Sequence, residues 1–243
     1  MNMKGYRCIR CAMEQSRDFA GFLCPQCGGN LDVRYYYAAV AQQIDGLLPR
    51  LPGDLFRFAA LLPLQMAQAP FPLRTGGTPL YRAPALASQA GVRELYLKDD
   101  TLNPSASLKD RASAVAAALA VEKGAQIVTA ASTGNAASAL AAVTASCGMR
   151  SVVLVPSSAP PAKLVQMQSY GARVVPIEGT YDEAFDLCTS ACNRFGWYNR
   201  STALNPFTIE GKKTAALEIA AQLAAEDGGE ADAVLIPSGD GVI

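Results

Sequence analysis

Three groups of residues in this sequence carry side chains able to do chemistry, and none contains histidine, because the chain has none. The first is a single lysine, Lys109, in the stretch DDTLNPSASLKDRAS (99–113). It stands where AVAAALAV begins to read as a helix, and a helix dipole disfavours a cation at that end. Either the ammonium is solvated or its nitrogen has a use. The second group is two C-x-x-C pairs, Cys8 with Cys11 and Cys24 with Cys27, separated by twelve residues. Two such turns facing one another supply four sulfur ligands, the set that tetrahedral zinc takes, and so short a segment needs a cross-link to fold. A redox pair, two disulfides or iron are the other uses of the same spacing. The third group is small-residue turns after apolar runs, Ser132-Thr133-Gly134-Asn135 and Ser238-Gly239-Asp240-Gly241. Glycine permits close backbone approach, and free N–H groups at a helix start suit an anion. Without histidine, Ser-His-Asp and Cys-His sets are excluded, and proton transfer falls to Lys, Asp, Glu, Tyr, Cys or a cofactor.

These groups need elements to position them. The short apolar or β-branched runs ELYLKDD, QIVTAAS, SVVLVPS, RVVPIEG and AVLIPSG read as buried strands, with WYNRST (197–202) as one more. Helical stretches over 108–123, 136–147, 160–170, 181–195 and 209–225 lie between most of them. Such alternation predicts an α/β fold with a parallel open sheet flanked by helices. Open sheets of this kind bind ligands outside the carboxyl ends of their strands, which is where the lysine loop and both turns fall. Residues 1–34 form a separate zinc-ribbon-like segment. Residues 35–73, punctuated by proline, read as a connector with one short helix near 36–45. The region 74–243 carries the regular alternation, and it stops in a glycine-rich turn with no covering element, so an incomplete chain is expected. Cys147, Cys188, Cys192, Trp197 and the Tyr35–Tyr37 run are expected to pack, and the acid–base pairs on 209–225 to be surface charge.

Lys+Arg and Asp+Glu balance at 21 each, which argues against a dedicated nucleic-acid binder. No apolar run is long enough to span a bilayer and no signal peptide is visible, so a cytoplasmic protein without membrane partners is expected.

In order and spacing, Gly76-Gly77-Thr78-Pro79-Leu80, Lys98 through Arg111, Ala131 through Asn135, Asn205-Pro206 with Glu210-Gly211-Lys212-Lys213-Thr214, and Pro237 through Gly241 resemble the fold-type II pyridoxal-phosphate enzymes, threonine synthase and its relatives among them. The resemblance runs from about residue 50 to the end and implies two lobes. It implies that Lys109 condenses with the aldehyde of pyridoxal 5′-phosphate, after which the nitrogen is no longer a bare cation facing the dipole. The freed amine would remove the substrate's α proton. Asn135 would hydrogen-bond the cofactor's 3′ oxygen. Ser132, Thr133 and Gly134 would hold the substrate carboxylate, and Gly239, Asp240 and Gly241 would begin the phosphate cradle. Asp110 and Arg111 would brace the loop. A small amino-acid substrate and a homodimer follow by the same analogy, with Zn2+ as a structural ion.

One departure bears on the substrate. Where threonine synthases acting on O-phosphohomoserine commonly have an arginine, N-P-F-T-I-E-G places Thr208, and losing a bidentate phosphate ligand is a substantial change; Arg200 or Lys212 could compensate. The alternatives to conversion of O-phosphohomoserine into threonine are a serine or threonine ammonia-lyase, another β-replacement enzyme, and a non-catalytic zinc-ribbon protein with a degenerate enzyme domain. The family's partner for the pyridine nitrogen would lie past residue 243.

Overall fold

The computed structural model describes residues 2–44, 53–66, 68–226 and 229–237. The chain opens on a small antiparallel sheet of β1 (Met3–Cys8), β2 (Glu14–Ser16) and β3 (Leu31–Tyr35), in the order β2-β1-β3. Met3, Tyr6 and Cys8 of β1 and Leu31, Val33 and Tyr35 of β3 point inward, and a register shift at Gly5 puts both sets on one face. That face does not close on itself. Tyr6 and Phe22 meet Phe207 at ring-centroid distances of 6.0 and 6.2 Å, and Phe22 meets Tyr198 at 5.7 Å. The cysteine-rich sheet therefore shares its core with the rest of the molecule.

The connector contributes α1 (Tyr37–Ile44) and a short 3-10 helix, Leu55–Leu61, started by Asp54, whose side chain accepts from the Phe56 N–H. Leu55, Phe56, Phe58 and Leu62 are buried, so this segment is part of the core. Next, β4 (Leu80–Arg82) precedes α2 (Pro84–Ala90) and pairs antiparallel with β5 (Tyr96–Lys98). The expected ELYLKDD strand thus belongs to a separate two-stranded ribbon, with Tyr81 and Leu97 about half exposed. A short apolar run sets extended backbone, and the edge that pairs with it is decided elsewhere in the fold.

After α3 (Lys109–Glu122) come β6 (Ile127–Ala131), α4 (Asn135–Ser146), β7 (Arg150–Pro156), α5 (Pro161–Ser169), β8 (Arg173–Ile177), α6 (Tyr181–Phe195) and β9 (Tyr198–Asn199). The four strands pair in parallel in the order β8-β7-β6-β9, as the alternation predicts. Helix α6 shows how sharply local chemistry sets limits: a reciprocal Thr180–Glu183 capping box starts it and Gly196 in the left-handed conformation ends it. Helix α3 is different. Residues Asp110 through Ala120 are all buried, so its alanines serve close approach by neighbours on every side.

The expected helix over 209–225 is two helices, α7 (Phe207–Lys212) and α8 (Thr214–Glu226). Helix α7 crosses α3 at Gly211, where an added Cβ would sit 2.3 Å from the Arg111 carbonyl oxygen. Three expectations do not hold. AVLIP (233–237) forms no strand, and Leu235 is 93% exposed; β-branched residues favour extended chain, but a strand also needs an edge to pair with. Tyr36 and Tyr37 are exposed, although Tyr35 is buried. Glu210, Lys212 and Glu218, read from the sequence as surface charges, are buried. No helix among the described residues is long and apolar enough to cross a membrane.

Candidate active site

The chain passes from β6 to β7 and β8 on one side and then returns to set β9 on the other side of β6, and such a reversal of strand order, a switch point, is where an open α/β sheet leaves a crevice at its carboxyl edge. The turn Ser132–Asn135 follows β6 there, and Arg200 follows β9. Arg200 is buried; its N–H donates to the Thr129 carbonyl at 2.8 Å, its Nε to Ser113 Oγ at 3.0 Å and its Nη2 to the Lys109 carbonyl at 3.4 Å. One arginine thus ties the first turn of α3 to the end of β6, and so brings Lys109 to the edge that carries Ser132, Thr133, Gly134 and Asn135. Lys109 is half-buried, and its ammonium makes no hydrogen bond or ion pair among the described residues.

The turn before α4 is open in two senses. No side chain caps the helix, so its first N–H groups are available to a ligand. A Cβ built on Gly134 would meet nothing within 4 Å. Ser132 Oγ accepts from the Gly134 N–H at 3.3 Å. Asn135 is exposed, and its Oδ1 accepts from Lys163 Nζ on α5 at 2.7 Å. Gly239, Asp240 and Gly241 lie outside the described residues.

Beneath Lys109 lies a cluster that the sequence reading reached only in part. The guanidinium of Arg111, fully buried, donates Nε and Nη2 to the two oxygens of Asp100, each at 2.7 Å, and Nη1 and Nη2 to the two oxygens of Glu218, at 2.7 and 2.8 Å. Lys98 Nζ donates to the same Glu218 at 2.7 Å and to the Thr78 carbonyl at 2.6 Å. Gly76 and Gly77, both in the left-handed region at φ 79° and 64°, donate their N–H groups to Asn103 Oδ1 and Glu218 Oε1. Two cations meet two carboxylates, and the bidentate geometry on both sides of Arg111 offsets the cost of burying them. Burial alone would raise Glu218, but hydrogen bonds from Arg111 and Lys98 hold its carboxyl below the ordinary value. Asp100 is held low in the same way by Arg111. Asp110, one turn away, accepts from the Ser105 N–H and hydroxyl at 3.0 and 2.8 Å. The GGTPL, KDDTLN and LKDR stretches are therefore one braced unit carrying Lys109 at its rim. Its keystone, Glu218, was missed because nothing local on α8 marks it; an isolated glutamate at the buried phase of an alanine-rich helix is the only trace.

In the N-terminal sheet region, Sγ atoms of Cys8, Cys11, Cys24 and Cys27 lie within 4.8 Å of one another, with Cys8–Cys27 at 3.5 Å and Cys11–Cys24 at 3.6 Å. A tetrahedron with metal–sulfur bonds of about 2.3 Å has sulfurs about 3.8 Å apart, so the cluster fits one ion. The N–H groups of Cys11 and Arg10 point at Cys8 Sγ, at 3.5 and 3.4 Å, and pull its thiol down to about 6. All seven cysteines are free of disulfides. Cys188 is buried, and Cys147 and Cys192 are half-buried on their helices.

Residues 72–243 match the family described as pyridoxal-phosphate dependent enzyme. The chain is 37% identical over 235 residues to the threonine synthase of Methanosarcina acetivorans, covering 96% of this chain and 56% of that protein. It is 35% identical to the threonine synthase of Methanocaldococcus jannaschii, covering 96% and 57%. Among solved structures it is similar to a pyridoxal 5′-phosphate-dependent aspartate racemase, with TM-score 0.53 and 31% identity over 60% of this chain and 46% of that one. The chain spans a little over half the length of the two threonine synthases. With an uncapped helix start after β6, a half-buried lysine whose backbone Arg200 ties to that strand and whose amine has no partner among the described residues, and the family match over 72–243, this chain belongs to the pyridoxal-phosphate-dependent enzymes.

Proposed function

We propose that this chain is the lysine-bearing part of a threonine synthase, which converts O-phosphohomoserine into threonine and phosphate by elimination and replacement across the β and γ carbons. The observation that carries the reading is the Lys109 amine, which has no partner among the described residues and whose backbone Arg200, following β9, ties to β6; the substrate class rests on similarity to proteins of that name. Bound pyridoxal phosphate would supply the electron sink for charge developing at the substrate's α carbon. Lys109 Nζ would hold the cofactor and carry the α proton. The open N–H groups at the start of α4, with Ser132 and Thr133, would hold the substrate carboxylate. Asn135 would turn from Lys163 to the cofactor's 3′ oxygen, and Gly239, Asp240 and Gly241 would begin the phosphate cradle. The Arg111 cluster would keep Lys109 in register, since misplacement by an ångström is costly to catalysis.

By the same reading, residues 1–34 are a structural zinc ribbon, 35–73 a connector and 74 onward the catalytic region of a cytoplasmic homodimer. A second reading, an ammonia-lyase acting on serine or threonine, is favoured by one observation. Thr208 is fully buried, with its hydroxyl on the Asn205 carbonyl at 2.9 Å, so that position offers no cation to a substrate phosphate. Measuring phosphate release from O-phosphohomoserine against ammonia release from threonine and serine decides between them. Phosphate release as the dominant turnover supports the synthase, and ammonia release alone rejects it.

A further inference from the structure

A cleft of about 550 Å³ lies where the loop before Cys24 leans over the amino ends of the parallel strands, a volume that suits a small ligand. It is unconnected with the site above, because it faces the C-terminal end of α3 and Lys109 starts that helix, about 20 Å away along a fourteen-residue rise. Phe22, Lys123, Gln126, Arg150, Trp197 and Tyr198 are among its lining residues, and no carboxylate is. In a chain with no net charge, two cations facing one cleft without an acid form a local positive site.

Neither cation forms a salt bridge among the described residues. Lys123 Nζ sits among the rings of Phe22, Tyr198 and Phe207, at 5.8, 5.7 and 5.4 Å from their centroids. The neighbouring Glu122 carboxylate is engaged by the N–H groups of Gln65 and Met66 at 2.8 and 2.9 Å. Arg150 is exposed, and its side chain makes no hydrogen bond or ion pair among the described residues. Beside it, Phe195 and Trp197 lie 5.4 Å apart with planes inclined by 31°, and Phe195 is exposed, so ring surface faces the opening. Cations select an anion, arginine favours phosphate, and exposed ring faces select a planar partner.

We propose that this cleft binds a small phosphate ester of a planar heterocycle, of the nucleoside monophosphate class, with the phosphate on Arg150 and Lys123 and the ring against Trp197. Trp197 is the only tryptophan in the 243 residues, so its fluorescence reports on this cleft. The test titrates adenosine 5′-monophosphate into protein saturated with pyridoxal phosphate, following fluorescence and heat together. The expected result is saturable binding, weakened at least about tenfold, a factor of about 1.4 kcal/mol, by Arg150→Met and by Lys123→Met. Adenosine alone and inorganic phosphate alone should each bind at least about tenfold more weakly than the joined molecule. Arg150 has no side-chain hydrogen bond or ion pair among the described residues to lose, so R150M keeps the test decisive even where K123M disturbs the aromatic packing. No saturable binding, affinity unchanged in R150M, or phosphate binding as tightly as the monophosphate would each overturn the proposal.

Discussion

The cysteine-rich sheet and the parallel α/β frame share one apolar core, yet different forces fix their shapes. In the sheet of β1–β3, fourteen residues in three strands present one buried face, and four cysteine sulfurs, Cys8 at the end of β1 and three in the turns, cluster at one end. In the frame, the alanine-rich α3 is enclosed on all sides, and the polar contribution is the buried Arg111–Asp100–Glu218–Lys98 cluster joining segments more than a hundred residues apart. On the zinc-ribbon proposal the first region would depend on a local cross-link, whereas the second rests on long-range burial, so they should fail separately.

Stripping metal with a strong chelator, or substituting Cys24→Ser, should produce the largest effect. Structural zinc sites hold on the order of 10 kcal/mol of binding free energy that is also folding free energy. Residues before Tyr36 should become open to proteolysis, read by mass spectrometry alongside metal content, with the parallel frame still protected. Protection unchanged after chelation would mean that the sulfurs do not hold the sheet.

Next in size is Glu218→Ala, which strands Arg111 and Lys98 in a buried site. A broken buried pair costs about 3–5 kcal/mol, measured by urea unfolding, with the metal content of the four-cysteine cluster unchanged. The Arg111 cluster also sets an acid limit. Because Glu218 and Asp100 lie below their ordinary values in the folded protein, their contribution is complete above about pH 4.5 and fades as pH falls through the lower folded values. E218A should therefore lose less stability than the parent protein below about pH 4. An identical acid profile would show that this cluster is not the source.

The smallest effect tests the seam between the regions. Tyr35 on β3 donates its hydroxyl to Glu210 of α7, and Lys213 donates to the same oxygen while lying 4.2 Å from the Tyr35 ring centroid. Burial raises the Glu210 carboxyl, so the donors matter. Tyr35→Phe should cost about 1–2 kcal/mol by urea unfolding. A loss as large as that of E218A would mean that the two regions form one cooperative unit.

What was legible in the sequence follows the same division. The C-x-x-C pairs specify their cluster because all four ligands lie within twenty residues of chain. The runs QIVTAAS, SVVLVPS and RVVPIEG specify parallel strands because both faces of their sheet are covered, and the turn after QIVTAAS does stand at the switch point. ELYLKDD and AVLIP also read as short apolar extended runs, but sheet membership depends on a pairing edge that their own residues do not encode. Glu218 was illegible for the same reason: its partners, Arg111 and Lys98, lie 107 and 120 residues away. Asn135 was placed at its turn by the motif, while its present partner, Lys163, comes from a helix the motif does not include.

The central claim is that Lys109 Nζ is the group that bonds the cofactor. Borohydride reduction of the purified protein incubated with pyridoxal phosphate, followed by peptide mass spectrometry, tests it directly. The account predicts a stable pyridoxyl adduct on the peptide containing Lys109 and its loss in Lys109→Ala, which should remain folded. An adduct confined to other lysines, or equal labelling in the Lys109→Ala protein, would contradict it.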